Sequence, residues 1–215
     1  MERIICLAIG YVFGMFQTSY IIGKVHHMDI RQYGSGNAGT TNALRTLGKK
    51  AGAMTLIGDM LKCVIAILVV DAVFKNNYGE ILPLLGMYTA AGCVLGHNFP
   101  FYLGFRGGKG IAASAGMLLA MDWRVFLICA VAFIGLVAIT RYVSLGSIAA
   151  YVGALICFIA FGAAGSYGMD LSHTVEMDVI MGLMTVLAIY RHRANISRLL
   201  KGTENKLGAA KTASK

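Results

Sequence analysis

The sequence predicts an all-α integral membrane protein, built as a single bundle of seven transmembrane helices. Of its 215 residues, 57% are hydrophobic and 13% are charged, whereas soluble domains carry roughly 45–50% apolar and about 25% charged residues. The apolar residues gather in runs that approach the roughly 20 residues that a membrane-spanning helix needs. No polar linker separates two such regions, so residues 1–215 are expected to form one membrane-embedded domain.

Seven apolar runs are the predicted helices. The first resembles a secretory signal, but it lacks a small-residue cleavage site and is expected to remain as a membrane helix. The fourth is shorter than a full span, and Gly110 and Asp122 are expected to end it at the membrane interface. The five cysteines lie singly in apolar runs and are interpreted as buried hydrophobic residues. The predicted helices are 4–23, 51–73, 81–96, 111–121, 125–140, 147–165 and 177–190.

The distribution of cations predicts the orientation of the bundle. With seven spans, the connections on one side are 24–50, 97–110, 141–146 and the basic tail 191–215, and they hold 15 of the 19 Lys and Arg residues. Cytoplasmic loops of membrane proteins are enriched in Lys and Arg. The N-terminus is therefore expected outside and the C-terminus in the cytoplasm.

Two charged residues interrupt the second predicted helix. Asp59 and Lys62 are three residues apart, so they share a helix face and can neutralise one another inside the membrane. An ion pair that ties helices together and a supporting role beneath a cytoplasmic site both remain possible interpretations.

The first polar connection contains a glycine-rich stretch, YGSGNAGTTNALRTLGKKAG, at residues 33–52. Glycines allow positive φ angles and turn backbone N–H groups toward an anion, while hydroxyls, amides and a guanidinium add side-chain donors. An ordinary polar turn with a helix cap at Thr41 or Asn42 is the alternative. The candidate anion-binding residues are Ser35, Gly36, Asn37, Thr41, Asn42 and Arg45.

The second connection, GHNFPFYLGFRGGKG at residues 96–110, places three glycines around Lys109 just before a predicted helix. The free N–H groups and the dipole of a helix N-terminus favour a negative ligand. Cations that reach the membrane surface would explain Arg106 and Lys109 but not the glycines. His97 is a candidate general base or an interfacial hydrogen-bonding group, and the second is favoured because no carboxylate lies nearby in sequence. The candidates here are His97, Gly107, Gly108, Lys109 and Gly110.

Two further stretches add donors on the same predicted side. In TRYVSLGS, residues 140–147, Arg141 ends one helix, and Ser144 or Ser147 precedes the next, with Ser147 as a helix N-cap being the plainer alternative. The tail YRHRANISRLLKGTEN is expected to continue as a short amphipathic helix with His192 and Asn195 on one face. This side has few carboxylates, and the chain shows neither a metal-ligand cluster nor a Ser-His-Asp set. The pattern therefore favours phosphate binding over metal- or carboxylate-dependent hydrolysis.

These stretches resemble the bacterial acyl-phosphate-dependent glycerol-3-phosphate acyltransferases, the PlsY family. The resemblance is carried, in order, by GSGNAGTTNALRTLG, GHNFPFYLGFRGGKGIA, RYVSLGS and RHRANISRLLKGTENKLG. Thr40, Cys63 and Arg106 are minor departures from the family pattern. By position, the resemblance implies substrate-binding and catalytic roles, with Ser144 remaining an alternative to Ser147. The residues carried over are Ser35, Asn37, Arg45, Lys109, Ser147, His192 and Asn195, of which Lys109, Arg45 and Ser147 are the expected catalytic residues.

The resemblance also implies the reaction and its setting. The family transfers a fatty acyl chain from acyl-phosphate to the 1-hydroxyl of glycerol-3-phosphate, giving lysophosphatidic acid and phosphate, without acyl-CoA or acyl carrier protein as direct donor. It implies a multi-pass protein of the bacterial inner membrane, with its site facing the cytoplasm and with no cofactor, metal or nucleic acid. An enzyme that produces acyl-phosphate is a further candidate partner. A transporter of a phosphorylated metabolite and a structural subunit of a lipid-synthesis assembly are the competing interpretations.

Overall fold

The computed structural model describes residues 1–208, and the described chain is all-helical. Short turns join the helices, which follow the predicted apolar runs closely after residue 48. The helices are α1 (Glu2–Gly14), α2 (Thr18–Val25), α3 (Thr40–Leu47), α4 (Lys49–Tyr78), α5 (Leu82–Asn98), α6 (Ile111–Met121), α7 (Trp123–Thr140), α8 (Val143–Ala163), α9 (Leu171–Arg191) and α10 (Arg193–Leu200).

Several of these helices have the length and composition of membrane spans. Within residues 1–208, the sufficiently long apolar stretches are Glu2–Val25, Lys49–Leu103, Trp123–Thr140, Val143–Ala163 and Leu171–Arg191, and the second of them contains both α4 and α5. Helix α6 has only 11 residues, as its short apolar run predicts. The expected all-α membrane fold is therefore confirmed in its class.

The first predicted helix is wrong in one respect, because it is broken between α1 and α2. Gln17 adopts an extended backbone, and its side chain donates hydrogen bonds to the carbonyls of Gly14 and His97, at 3.4 and 3.0 Å. The Lys62 ammonium donates to the carbonyls of Gly14 and Phe16, at 3.1 and 2.6 Å. A lysine from a distant helix thus satisfies carbonyls that the break leaves without helical partners.

Two further boundaries differ from the prediction. The connection 24–50 is not entirely a loop, because α3 lies inside it and Gly48, with a φ of 90°, separates α3 from α4. Gly39 precedes α3, so Thr41 is a helical residue and not its cap. Helix α8 begins at Val143 after Tyr142, so Ser147 lies within the helix and is not an N-cap.

The C-terminal tail agrees with the prediction as far as residue 208. The expected amphipathic helix is present as α10, and the segment 201–208 follows it. Residues 209–215, which the prediction included in the basic tail, lie outside the described residues.

Glycines bring α1 and α5 into direct backbone contact. A Cβ atom built on Gly10 would lie 1.9 Å from the Thr89 carbonyl oxygen, and one on Gly96 would lie 2.2 Å from that of Tyr11. Small residues at a helix interface let membrane helices approach closely. This contact places the end of α5, with His97, against the break between α1 and α2.

Four of the five cysteines and the two intramembrane charges behave as predicted. All five cysteines are free, and four of them are buried, with Cys157 partly exposed. Asp59 and Lys62 form a buried ion pair with an oxygen–nitrogen distance of 2.9 Å. The pair also contacts His97, so it lies directly beneath the polar connections.

Candidate functional site

A cavity of about 1440 Å³ lies where the polar connections meet and continues between the helices. Its wall is formed by residues from the four donor-rich stretches, which the sequence separates by up to about 160 residues. Gly108 and Arg141 are the predicted site residues that do not line it. Those that do are Ser35, Gly36, Asn37, Thr41, Asn42, Arg45, His97, Gly107, Lys109, Gly110, Ser144, Ser147, His192 and Asn195.

Lys109 and Asn195 are joined across the cavity in a chain of polar contacts. The Lys109 ammonium donates a hydrogen bond to the Asn195 side-chain oxygen, and the Asn195 amide nitrogen donates to Glu204 Oε1 at 2.7 Å. Ser144 Oγ donates to the same carboxylate oxygen at 3.0 Å, and Arg198 Nε donates to Oε2 at 2.7 Å. The Glu204 carboxylate therefore fixes three donors around the lysine.

Glu204 is not among the site residues predicted from the sequence, and it holds the cluster together. Its side chain is only 5% exposed. Burial by itself raises the pKa of this carboxyl, but the hydrogen bonds from Asn195, Arg198 and Ser144 outweigh burial, and the pKa lies below its ordinary value. The available signal is that Glu204 is the single acid among the seven Lys and Arg residues of the tail 191–215.

Burial also lowers the pKa of two basic groups beside this chain of polar contacts, Lys109 and His192. It lowers the pKa of Lys109 to about 8, with the charge of Glu204 opposing this effect and nearby arginines adding to it. Burial, followed by the charge of Lys109, lowers the pKa of His192 to about 4. His192 Nδ1 lies 2.8 Å from the Ala188 carbonyl oxygen, which can only accept, so the proton is on Nδ1 and Nε2 carries a free lone pair.

The glycine-rich loop before α3 has the backbone that the sequence predicts at two positions. Gly34 and Gly36 have φ angles of 61° and 70°, which glycine adopts without strain. Asn42 differs from the prediction, because its amide shapes the loop instead of remaining free for a ligand. Its oxygen accepts the Ser35 N–H at 2.9 Å, and its nitrogen donates to the carbonyls of Ile30 and Tyr33, both at 3.0 Å.

The comparisons with known proteins agree along nearly the whole chain. A family described as "Glycerol-3-phosphate acyltransferase" matches residues 4–202. The glycerol-3-phosphate acyltransferase of Clostridioides difficile (strain 630) is 46% identical over 210 residues, which is 97% of each chain. That of Macrococcus caseolyticus (strain JCSC5402) is 38% identical, covering 96% of this chain and 98% of the relative. The chain belongs to the glycerol-3-phosphate acyltransferase family.

Two solved structures of PlsY superpose on this chain. The crystal structure of PlsY, described as an integral membrane glycerol 3-phosphate acyltransferase in its glycerol 3-phosphate form, superposes with a TM-score of 0.82 at 34% identity, covering 97% of this chain and 96% of that chain. The lysophosphatidic acid form gives a TM-score of 0.80 with the same identity and coverage. The predicted membership of the PlsY family is confirmed, and the chain is a multi-pass membrane protein.

In this PlsY-family chain, the loop before α6 is built differently from the expected cradle of backbone donors. The N–H groups of Gly107 and Gly108 already donate to the carbonyls of Asn98 and His97, at 3.2 and 3.0 Å. Arg191 donates to the Gly108 carbonyl at 2.6 Å. These two glycines therefore hold the loop against His97, while Gly110, with a φ of 81°, caps α6 as predicted.

The serines and Arg141 also have specific contacts. Ser147 Oγ donates to the Val143 carbonyl at 2.8 Å, whereas Ser144 belongs to the Glu204 cluster. The Arg141 guanidinium donates to the Leu207 carbonyl at 3.0 and 2.8 Å and is exposed. Arg141 therefore anchors the segment that carries Glu204 and does not face the cavity, contrary to its predicted role in binding.

Replacing Gly108 by alanine is expected to lower kcat/KM about 100-fold, since misplacing catalytic groups by about 1 Å costs that much. The new Cβ would lie 2.0 Å from His97 Nε2 and 2.6 Å from the Ala38 carbonyl oxygen, so the loop before α6 must shift. The matched control is Gly182→Ala on α9, where a Cβ meets nothing within 4 Å. Equal activities of the two purified variants would contradict this packing argument.

Proposed function

We propose that this chain transfers a fatty acyl group from acyl-phosphate to the 1-hydroxyl of sn-glycerol-3-phosphate. The products are 1-acyl-glycerol-3-phosphate, or lysophosphatidic acid, and inorganic phosphate, which is the first acylation step of phospholipid synthesis. The observation that carries the proposal is a single cavity with cationic and amide donors at one end and apolar helix surfaces at the other. Such a cavity suits one reactant that is small and anionic and another that joins a phosphate to a lipid chain.

Two phosphates need positive and neutral donors held in fixed positions. We assign Lys109 and Arg45 to the charge on the substrate phosphates, with the side chains of Ser35 and Asn37 as further donors. Within the part of the chain that the structure describes, the Ser35 hydroxyl and the Asn37 amide have no side-chain partner of their own, so they are available to a ligand. Asn195 orients Lys109, and Glu204 orients Asn195.

The chemical step needs no protein base in this proposal. The glycerol hydroxyl oxygen attacks the acyl carbon, the bond from that carbon to the phosphate oxygen breaks, and the phosphate leaves with the electron pair. A phosphate oxygen takes the hydroxyl proton, because a phosphate monoester has a second pKa of about 6, whereas the pKa of His192 is about 4. The free Nε2 lone pair of His192 can accept a hydrogen bond from the hydroxyl and orient it for attack.

The acyl chain would occupy the apolar part of the cavity. Helix α6, which Gly110 caps, contributes Ala112, Ala115 and Met117 to this wall, and α7 faces it with mostly aromatic and aliphatic side chains. Burying an alkyl chain stabilises binding by about 0.8 kcal/mol for each methylene. The α7 residues that line this wall are Phe126, Cys129, Ala130, Phe133 and Ile134.

We also propose the topology that the cations indicate. The proposal has seven spans in one domain of the bacterial inner membrane, with the N-terminus outside and the cavity mouth facing the cytoplasm. In this arrangement α1 and α2 together count as one span, and short α6 counts as another. The excess of Lys and Arg in the connections around the cavity supports this orientation.

The deciding experiment is an assay of the purified chain in detergent with three donors compared. Acyl-phosphate with glycerol-3-phosphate is expected to yield lysophosphatidic acid, and acyl-CoA and acyl carrier protein are expected to yield none. The transporter alternative predicts uptake of glycerol-3-phosphate into liposomes without product. If acyl-CoA is the one donor that gives product with glycerol-3-phosphate, the proposed acyl-phosphate donor is wrong.

The pH dependence of substrate binding should report Lys109. Glycerol-3-phosphate remains a dianion above neutrality, since its second pKa is about 6, so its own charge does not change there. As pH rises through about 8, the ammonium of the free protein loses its proton. We expect KM for glycerol-3-phosphate to rise up to about tenfold per pH unit above that point.

The control for this dependence is Lys109→Arg, because a guanidinium stays charged through this range. Its KM, even if higher overall, is expected to stay level between neutral pH and pH values well above 8. The same upward slope in this variant would assign the titration to another group.

A further inference from the structure

His97 lies at the end of α5, and its side chain contacts Lys62, a contact that the proposed mechanism does not use. Its side chain is almost completely buried in the cavity wall. Nδ1 lies 2.8 Å from the Lys62 ammonium nitrogen and 3.8 Å from Asp59 Oδ1. The lysine therefore stands closer to the imidazole than the carboxylate does.

Three oxygen atoms surround the Lys62 ammonium nitrogen. It lies 2.9 Å from Asp59 Oδ1, and it also contacts the carbonyl oxygens of Gly14 and Phe16. All three neighbours are oxygen acceptors, so the nitrogen acts as a donor to each. An ammonium has no lone pair, so His97 Nδ1 cannot donate to it. Its three hydrogens face four acceptors, and Nδ1 therefore accepts a hydrogen that it shares with one of the oxygens.

An imidazole that accepts at Nδ1 carries its proton on Nε2. A carboxylate acting alone has the opposite effect: it accepts from Nδ1–H and leaves Nε2 as a base, as in Ser-His-Asp sites. Here Lys62 pairs with Asp59, whose Oδ1 is also held by the Thr18 hydroxyl at 3.0 Å. Because Lys62 lies between Asp59 and His97 Nδ1, the His97 ring has its proton on Nε2 and acts there as a hydrogen-bond donor.

We propose that Lys62 is a positioning residue that fixes His97 as an Nε2–H donor to an oxyanion of the reacting substrates. This inference rests on the proposed acyl transfer and identifies the ligand group as a phosphate or developing carbonyl oxygen. His97 Nε2 borders Gly108, where a Cβ would lie 2.0 Å from it, and Nε2 has no hydrogen-bond partner among residues 1–208. His97 is thus a donor, while His192, which lines the same cavity, is an acceptor.

The first test reads the tautomer directly. Protein labelled with ¹⁵N-histidine in detergent gives correlation spectra that separate Nδ1–H from Nε2–H, and the spectrum of His97→Gln assigns the His97 signals. We expect a protonated Nε2 and a bare Nδ1 in the unmodified chain. In Lys62→Met, where only Asp59 faces Nδ1, we expect the proton to move to Nδ1, whereas Lys75→Met on the exposed part of α4 leaves it in place. A protonated Nδ1 in the unmodified chain overturns the proposal, whatever the folding of the variants.

The second test asks whether the Nε2–H group meets the substrate. Adding sn-glycerol-3-phosphate or inorganic phosphate, as separate probes, is expected to shift the His97 Nε2 signal and to leave Nδ1 unshifted. His97→Leu should lose about 10–100-fold in kcat/KM, the usual effect of one hydrogen bond to a charged group. His97→Gln, whose amide can place an N–H near Nε2, should recover most of that loss. A leucine variant as active as the glutamine variant contradicts the donor role.

These outcomes separate this inference from the proposed function. If the unmodified chain makes no lysophosphatidic acid, the acyl-transfer proposal fails, and the tautomer is still measured. If the chain is active and His97 carries its proton on Nδ1, only the role of Lys62 fails. A loss of about 10⁴-fold in kcat for His97→Gln with substrate binding retained would restore a histidine base.

Discussion

Replacing Lys109 by alanine is expected to lower kcat/KM by about 10³-fold or more, as removal of a preorganised donor from a charged transition state does. The lysine is the cation at the mouth of α6 that contacts Asn195, and no other ammonium lines the cavity in the described residues. In the proposed reaction, negative charge on the departing phosphate would then lose the compensation assigned to this cation. The measurement is lysophosphatidic acid formation by the purified variant.

The same variant is expected to insert and to unfold at nearly the unmodified temperature. Lys109 is partly exposed and lies in a loop, so its removal leaves the helix contacts intact. The matched control is Lys50→Ala, an exposed lysine at the start of α4 that is outside the cavity wall and should keep full activity. Near-normal turnover by Lys109→Ala would end the assignment of Lys109 to the reaction.

The helices after residue 48 could be predicted from the sequence because a bilayer fixes the length of an apolar run. The run 111–121 matches α6 residue for residue, since Gly110 and Asp122 end it at both sides. The break in the first run is not predictable from the sequence, because it depends on Lys62 and Gln17, whose partners are distant in sequence. Hydropathy along the chain contains no information about such a contact.

The site was predictable in its residue types and less so in their tasks. Lys109 and Asn195 do meet, as the convergence of the polar stretches on one side indicates. The residue types of Asn42, Gly108 and Arg141 predict ligand groups, yet each of the three is bonded to the protein's own backbone. Pairing of donors and acceptors inside the fold decides which groups remain for a ligand, and only coordinates show that pairing.

Glu204 gives the second large expected effect, on both stability and activity. Glu204→Ala removes the acceptor of Asn195, Ser144 and Arg198, and the buried donors left behind cost about 1–3 kcal/mol each. Arg198 is partly exposed and can turn to water, so the two remaining donors set the loss, and we expect the free energy of unfolding to fall by about 2–6 kcal/mol in total. Chemical denaturation in detergent measures this, with the exposed Glu80→Gln as control.

Activity should separate packing from charge at this position. Glu204→Gln keeps the volume of the side chain, but its amide nitrogen faces a donor, either Asn195 Nδ2 or Arg198 Nε. Asn195 then loses its fixed orientation toward Lys109, and kcat/KM should fall about 10–100-fold, the cost of one charged hydrogen bond.

Acid should remove the stability difference between Glu204 and glutamine. The folded pKa of Glu204 lies below its ordinary value, so its stabilisation is present above the unfolded pKa of about 4.3 and is lost as pH falls through the folded one. The unfolding free energies of the two proteins should therefore converge on acidification from about pH 4 downward. A gap that stays constant at every pH would mean that packing, and not the carboxylate charge, holds the tail against the cavity.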